Sequence, residues 1–272
     1  MSADAMNPVL STFATASSAG RGTLIGYLPA GFPNPSFSAE LMCAMVTGGV
    51  DIIEVGLPYS DPLMDGPVIQ EAAETALRAG TTPTDVMSCV SAVAATGAVP
   101  VVMSYWNPIE RYGVDRFASD LLAAGGCGVI TPDLTPEEAG AWIAATDASS
   151  IARTFLVAPS STAERIATVA AACTGFIYAA STMGVTGART SVASSAPELV
   201  ARVREVTDQP VAVGIGVSTG EQAASVVTYA DGVIVGSAFV RCVLDANSDS
   251  AALSAVEGLA RELAQGVRTG TW

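Results

Sequence analysis

Glu54 stands at the end of an otherwise apolar run, DIIEV from Asp51. Alternation along a strand puts Ile52 and Glu54 on one face and Ile53 and Val55 on the other. Turned toward a helix layer, the carboxylate would be buried with no evident partner. Turned inward near a strand's C-terminal end, it would line a site, and apolar surroundings would raise its pKa toward the range of a general acid. The competing reading is a buried Glu paired with Arg78 or Arg153, and the strand pattern does not choose between them. Asp65 follows eleven residues later in the loop GLPYSDPLMDGP, Gly56–Pro67, where Pro58 and Pro62 restrict the backbone. Asp61, in Ser-Asp-Pro, competes for the same role. An Asp in either setting is also ordinary turn chemistry, and residue type alone does not separate the two.

What is absent narrows the chemistry further. The chain of 272 residues has no histidine, and all twelve of its basic residues are arginine. Without lysine there is no Schiff base and no covalently held pyridoxal phosphate. Without histidine the commonest general base and transition-metal ligand is missing, and no metal site is expected. The formal charge of −14 argues against nucleic acid and anionic membrane surfaces as partners. Five scattered cysteines, Cys43, Cys89, Cys127, Cys173 and Cys242, form no Cys-x-x-Cys pair and suit inert thiols in a reducing compartment. No stretch approaches the roughly 18 apolar residues of a membrane span, and the start lacks a signal-peptide pattern. A cytoplasmic protein is expected.

An anionic substrate would therefore need local groups. GIGVS (Gly214–Ser218) and VGSAFV (Val235–Val240) each follow an apolar run. Glycines there let backbone N–H groups approach an anion, and a helix start adds its positive end. Ser237 is expected to donate its hydroxyl and to cap the short helix after it. Each glycine pair alone means only a tight turn. Together, at two neighbouring strand ends, they point to phosphate.

Eight short β-rich runs must position these groups: TLIGYL from Thr23, DIIEV from Asp51, VPVVMS from Val99, GVIT from Gly128, IARTFLV from Ile151, GFIYA from Gly175, VAVGI from Val211 and DGVIVG from Asp231. Between them lie helical patterns at Ser38–Thr47, Pro67–Arg78, Asp115–Ala124, Pro136–Ala145, Ala163–Ala172, Ala196–Val206 and Gly220–Tyr229. Strict alternation implies parallel strands with right-handed crossovers. Eight repeats in this length predict an α/β fold of the (β/α)₈ TIM-barrel type, a single domain over 1–272. Met6, Val9, Leu10 and Phe13 have helical spacing, so residues 1–22 read as an extra N-terminal helix and join, and 23–272 as the barrel. Function in such a barrel belongs to the loops after the strands. The two long ones are Gly56–Pro67 and Ser181–Pro197, both rich in lid-forming residues.

These segments resemble the tryptophan synthase alpha chain family along nearly the whole chain. IEVGLPYSDPLMDGPVIQ from Ile53 is similar to the family's signature around its two catalytic acids. GYLPAGFP, MSYWNPIERYG, GVITPDLTPEE, FIYAASTMGVTG, VGIGVS and ADGVIVGSAFV follow in the family's order. Departures are Phe32, where many members have Asp, and Thr135, where many have Pro. The resemblance implies a lyase of tryptophan biosynthesis that splits indole-3-glycerol phosphate by retro-aldol chemistry, with Glu54 and Asp65 catalytic. It implies that Tyr178 lines the site and that Gly187, Gly216, Gly236 and Ser237 hold the phosphate. Tyr27, Met103 and Tyr105 would contact the indole, and Thr186 would reach Asp65. It further implies a beta-subunit partner in an alpha2beta2 tetramer, with pyridoxal phosphate in that partner and no cofactor in this chain. Two other readings compete: a phosphosugar isomerase, which needs a different base and electrophile, and a non-catalytic activator, against which the two acids argue.

Overall fold

The computed structural model describes residues 7–180, 195–214 and 216–269. Its strands are β1 (Thr23–Pro29), β2 (Ile52–Gly56), β3 (Val99–Met103), β4 (Gly128–Ile130), β5 (Ala152–Thr154), β6 (Leu156–Val157), β7 (Ile177–Ala180), β8 (Val211–Gly214) and β9 (Gly232–Val235). All pairings are parallel, in the order β5-β4-β3-β2-β1-β9-β8-β7-β6. The two ends of that order, β5 and β6, are halves of one predicted run parted at Phe155. The Phe155 carbonyl accepts the Tyr178 N–H at 3.2 Å, so the sheet curls round until its edges meet. The eight expected strands thus make a nearly closed TIM barrel.

Strand parity sorts the apolar side chains into two cores. Ile25, Ile52, Val101, Ile130, Ala152, Phe176, Ala212 and Ile234 fill the barrel interior, one from each run. Val9 and Phe13 of the N-terminal helix α1 (Pro8–Ser18) join them from below, Phe13 packing 5.5 Å from Phe176 between ring centroids. The expected N-terminal helix is therefore present and plugs the barrel with Val9 and Phe13, although Met6 lies outside the described residues. Its N-cap is Asn7, whose Oδ1 accepts the Leu10 N–H while Nδ2 donates to the Thr174 carbonyl. The second core, with Leu24, Ile53, Val55 and Val102, lies between the sheet and the outer helices.

Most outer helices fall where predicted: α2 (Pro35–Gly48), α3 (Pro67–Arg78), α6 (Val114–Ala123), α8 (Ala163–Ala172), α9 (Ser195–Arg204) and α10 (Gly220–Val226). The helix expected over Pro136–Ala145 instead begins at Gly140 and runs to Ser149 as α7, because residues 136–138 close a turn first. Three helices lie outside the predicted runs, α4 (Pro83–Ala95), α5 (Trp106–Tyr112) and α12 (Asp249–Thr269), and the short helix expected after Ser237 is α11 (Ser237–Leu244). The start of α4 carries a legible signal, a capping box between Thr82 and Asp85. All five cysteines are free, and burial raises each thiol, Cys173 to about 11. No helix among the described residues is long and apolar enough to cross a membrane.

The long α12 closes the fold by backbone contact. A Cβ on Gly266 would fall on the Gly220 carbonyl oxygen and within 2.8 Å of Gly220 Cα, so α10 and α12 touch only because both are glycine there. Gly258, in the same helix, has nothing within 4 Å of its Cβ direction. Alanine in a helix interior is ordinarily favoured over glycine by about 0.5–1 kcal/mol. Gly258→Ala should stabilise the protein by about that amount, whereas Gly266→Ala should destabilise it by about 1–3 kcal/mol through overpacking. Denaturant unfolding of both variants checks this, and a gain in both would refute the contact.

Candidate active site

Glu54 faces inward. Ile52, two residues before it, belongs to the barrel interior, while Ile53 and Val55 pack outward. Its Cα is in register with Tyr27 on β1 and Val101 on β3, and it is 3% exposed. Neither arginine that competed for it is near. Arg153 points outward, donating to Thr146 Oγ1 at 2.8 Å, to the Ala172 carbonyl and to Asp147. Arg78 pairs with Glu74 on the surface of α3. Glu54 Oε2 has no hydrogen-bond partner among the described residues. Burial first, and then the charge of Asp65, push its carboxyl up to about 8. The residue is an acid that keeps its proton near neutral pH.

The loop after β2 separates the two aspartates that residue type left open. Asp61 is exposed, and Ser60 Oγ donates to its carboxylate at 2.5 Å. Asp65 is partly buried and lines the same cavity as Glu54. Burial raises its pKa, and the Tyr105 hydroxyl beside it acts in the opposite direction.

That cavity opens at the C-terminal ends of the strands, with about 820 Å³ of empty space when the open solvent at its mouth is included. Tyr27, Met103 and Tyr178 line it. Both tyrosines need a glycine on the next strand. A Cβ on Gly56 would lie 2.5 Å from Tyr27 Oη, and one on Gly214 would strike the Tyr178 hydroxyl. Tyr105 is buried but is not part of the lining; its hydroxyl instead accepts the Met64 N–H at 3.0 Å. Met64, Ile69, Ile130, Pro132, Leu156 and Ile234 also line the cavity, and none was singled out from sequence. Inward parity at the strand ends was the signal for Ile130 and Ile234; Met64, Ile69 and Pro132 depend on loop paths that periodicity does not encode.

Across β1 from Glu54, Gly216, Gly236 and Ser237 line the cavity beyond β8 and β9. Gly216 has φ +73°, a backbone that side chains rarely adopt. Ser218 N–H and Oγ both bond Gln222 Oε1, steadying this turn. Ser237 is 8% exposed and is the first residue of α11. The N-cap is Gly236, with no side-chain cap bond, so Ser237 does not cap the helix as predicted: α11 starts one residue earlier than that role requires. Thr186 and Gly187 lie outside the described residues, as does most of Ser181–Pro197. Phe32 is buried in the outer core, and Thr135 Oγ1 donates to Glu138 at 3.2 Å. Among the described residues no group of three or more His, Cys, Asp or Glu side chains could hold a metal.

Comparison with known proteins agrees over most of the chain. A family profile described as tryptophan synthase alpha chain matches residues 13–268. The chain is 60% identical to the tryptophan synthase alpha chain of Acidothermus cellulolyticus over 249 residues, 92% of each chain. It is 60% identical to that of Thermobifida fusca over 258 residues, 94% of this chain and 96% of the relative. Its fold is similar to a chain of Mycobacterium tuberculosis tryptophan synthase with a TM-score of 0.90 and 53% identity, covering 95% of this chain and 97% of that one.

The state of Glu54 has a thermodynamic signature. The side chain's ordinary value is 4.5, against about 8 in the folded protein. Below 4.5 both states are protonated, and the buried acid carries no penalty. As pH rises from there through 8 the unfolded chain ionises and the folded one resists, so stability is lost by up to about 1.4 kcal/mol per pH unit. Glu54→Gln should therefore match the parent's stability near pH 4.5 and exceed it increasingly up to pH 8. A stability difference that does not change over this interval would show that Glu54 is not buried as an acid.

Proposed function

The chain belongs to the tryptophan synthase alpha chain family, and from that premise we propose that Glu54 and Asp65 carry the family's chemistry at the mouth of this barrel. The reaction is the cleavage of indole-3-glycerol phosphate to indole and glyceraldehyde 3-phosphate, the indole passing to a beta subunit for tryptophan synthesis. The observation that carries the assignment is a buried carboxylic acid, free of any cation among the described residues, lining one cavity with a second carboxylate.

The bond to be broken joins the indole ring to a carbinol carbon. It breaks only if the ring accepts the electron pair, which protonation of the ring carbon allows without Schiff base or metal. Protonated Glu54 donates that proton, leaving positive charge on the ring N–H. Asp65 stabilises this charge as an anion. The carboxylate left at Glu54 then assists removal of the carbinol proton. The aldehyde forms, and the C–C pair restores the aromatic ring. One proton enters and one leaves, so Glu54 is regenerated.

Tyr27, Tyr178 and Met103 flank the indole in this reading, and backbone groups at Gly216 and Gly236 hold the phosphate with Ser237. Gly187 and Thr186 complete the set from the second long loop. Pyridoxal phosphate is a cofactor of the beta subunit, consistent with the absence of lysine here. The working form is an alpha2beta2 complex in the cytoplasm, with residues 23–272 as one catalytic barrel and 1–22 as its plug and join.

A positioned acid or base typically contributes about 10²–10⁴-fold. Glu54→Gln and Asp65→Asn should each lower kcat for indole release by at least about 100-fold, with inorganic phosphate binding unchanged. Near-normal release in either variant would remove that residue from the mechanism.

A further inference from the structure

Asp65 is carried by a loop, and a loop side chain is only as well placed as the backbone that bears it. Two side chains from different elements grip that backbone. The Met64 N–H donates to Tyr105 Oη at 3.0 Å, and Gln70 Nε2, in the first turn of α3, donates to the Asp65 carbonyl oxygen at 2.7 Å. Neither side chain lines the cavity. Tyr105 is 1% exposed, stands two residues beyond β3 at the N-cap of α5, and packs against Tyr59 with ring centroids 5.4 Å apart. Because its oxygen accepts from Met64, its own proton is available to the Asp65 carboxylate, and the interaction between them lowers Asp65 against the effect of burial.

We propose that Tyr105 and Gln70 are positioning residues that clamp the backbone of residues 64 and 65 from either side, presenting Asp65 to the cavity from a braced loop. The inference rests on the role proposed for Asp65. Tyr105 then acts through Asp65 and not through contact with the indole. The titratable groups that interact with Asp65 among the described residues are Glu54, Tyr27, Tyr105 and Tyr178. Of these, Tyr105 is the one whose hydroxyl lowers it.

The test uses Tyr105→Phe and Gln70→Met in the full chain, assayed for indole release with and without the beta subunit. A misplacement of about 1 Å can cost about 100-fold. Each variant should therefore lose about 10- to 100-fold in kcat with KM little changed and thermal unfolding close to the parent's. In Tyr105→Phe the acid limb of the kcat profile should also move to higher pH, since ionised Asp65 is what that limb reports. Adding Tyr105→Phe to Asp65→Asn should slow the reaction no further. Unchanged kcat in both single variants, a loss confined to KM, a Tyr105→Phe profile reduced equally at every pH, or a double variant slower than Asp65→Asn each overturn the clamp. Near-normal Asp65→Asn would instead overturn the role of Asp65 itself; an inactive Asp65→Asn beside a fully active Tyr105→Phe overturns only the clamp.

Discussion

A carboxylic acid buried without a cation is the constraint on which the rest of the barrel mouth depends. Moving an ionised carboxylate out of water without a partner costs several kcal/mol, so Glu54 keeps its proton and becomes a donor at a pH where a solvated glutamate is fully ionised. That state survives only while arginines stay away and water stays out. Parity on the strands accomplishes the first, because Arg153 emerges on the outer face and is satisfied there by Thr146, Asp147 and the Ala172 carbonyl. The interior layer beneath, from Ile52 down to the Val9 and Phe13 plug, accomplishes the second.

A cavity must nevertheless exist beside this acid, and it is made by leaving side chains out. Tyr27 and Tyr178 extend inward from β1 and β7, and each reaches over a strand position occupied by glycine, Gly56 and Gly214. A methyl group at either would displace the ring above it. The register that aligns Tyr27 with Glu54 also aligns Pro29 with Gly56, so the glycine that clears room for the ring stands two residues beyond the acid on the same strand. Site shape and site chemistry therefore depend on one pairing of β1 with β2.

These relations were legible in sequence to different depths. Period-2 alternation put Ile52 and Glu54 on one face, but the choice between an inward acid and a Glu paired with an arginine was left to the packing, which turns Ile52 into the barrel and engages Arg153 and Arg78 elsewhere. The eight runs were visible in the sequence, except that the fifth is parted at Phe155, where the sheet closes, a bend set by neighbours on both edges. Asp65 and Asp61 were indistinguishable by residue type, because what separates them is the course of a loop held by Tyr105, distant in the chain, and by Gln70 in the helix that follows. The start of α11 was misjudged by one residue because Ser and Gly both serve as N-caps, and the backbone after β9 turns at Gly236. The helix α12 escaped because its buried face is set by contact with α2 and α10, where Gly48, Gly220 and Gly266 permit close approach.

The acidity of the chain and the neutrality of Glu54 are two aspects of one electrostatic arrangement. An arginine or lysine at the phosphate end would bind the substrate strongly, yet it would share a cavity with Glu54 and favour its ionised form. Among the described residues no arginine lines that cavity. In the proposed reading the anion is offered glycine backbone and Ser237 at the start of α11, partial charges whose influence fades within about one helical turn. A bound phosphate ester brings negative charge into the cavity, which disfavours a second anion there. In the proposed mechanism substrate binding would then hold the proton on Glu54 until the ring carbon takes it, so the end of the site that grips the substrate would also keep the acid ready at the other.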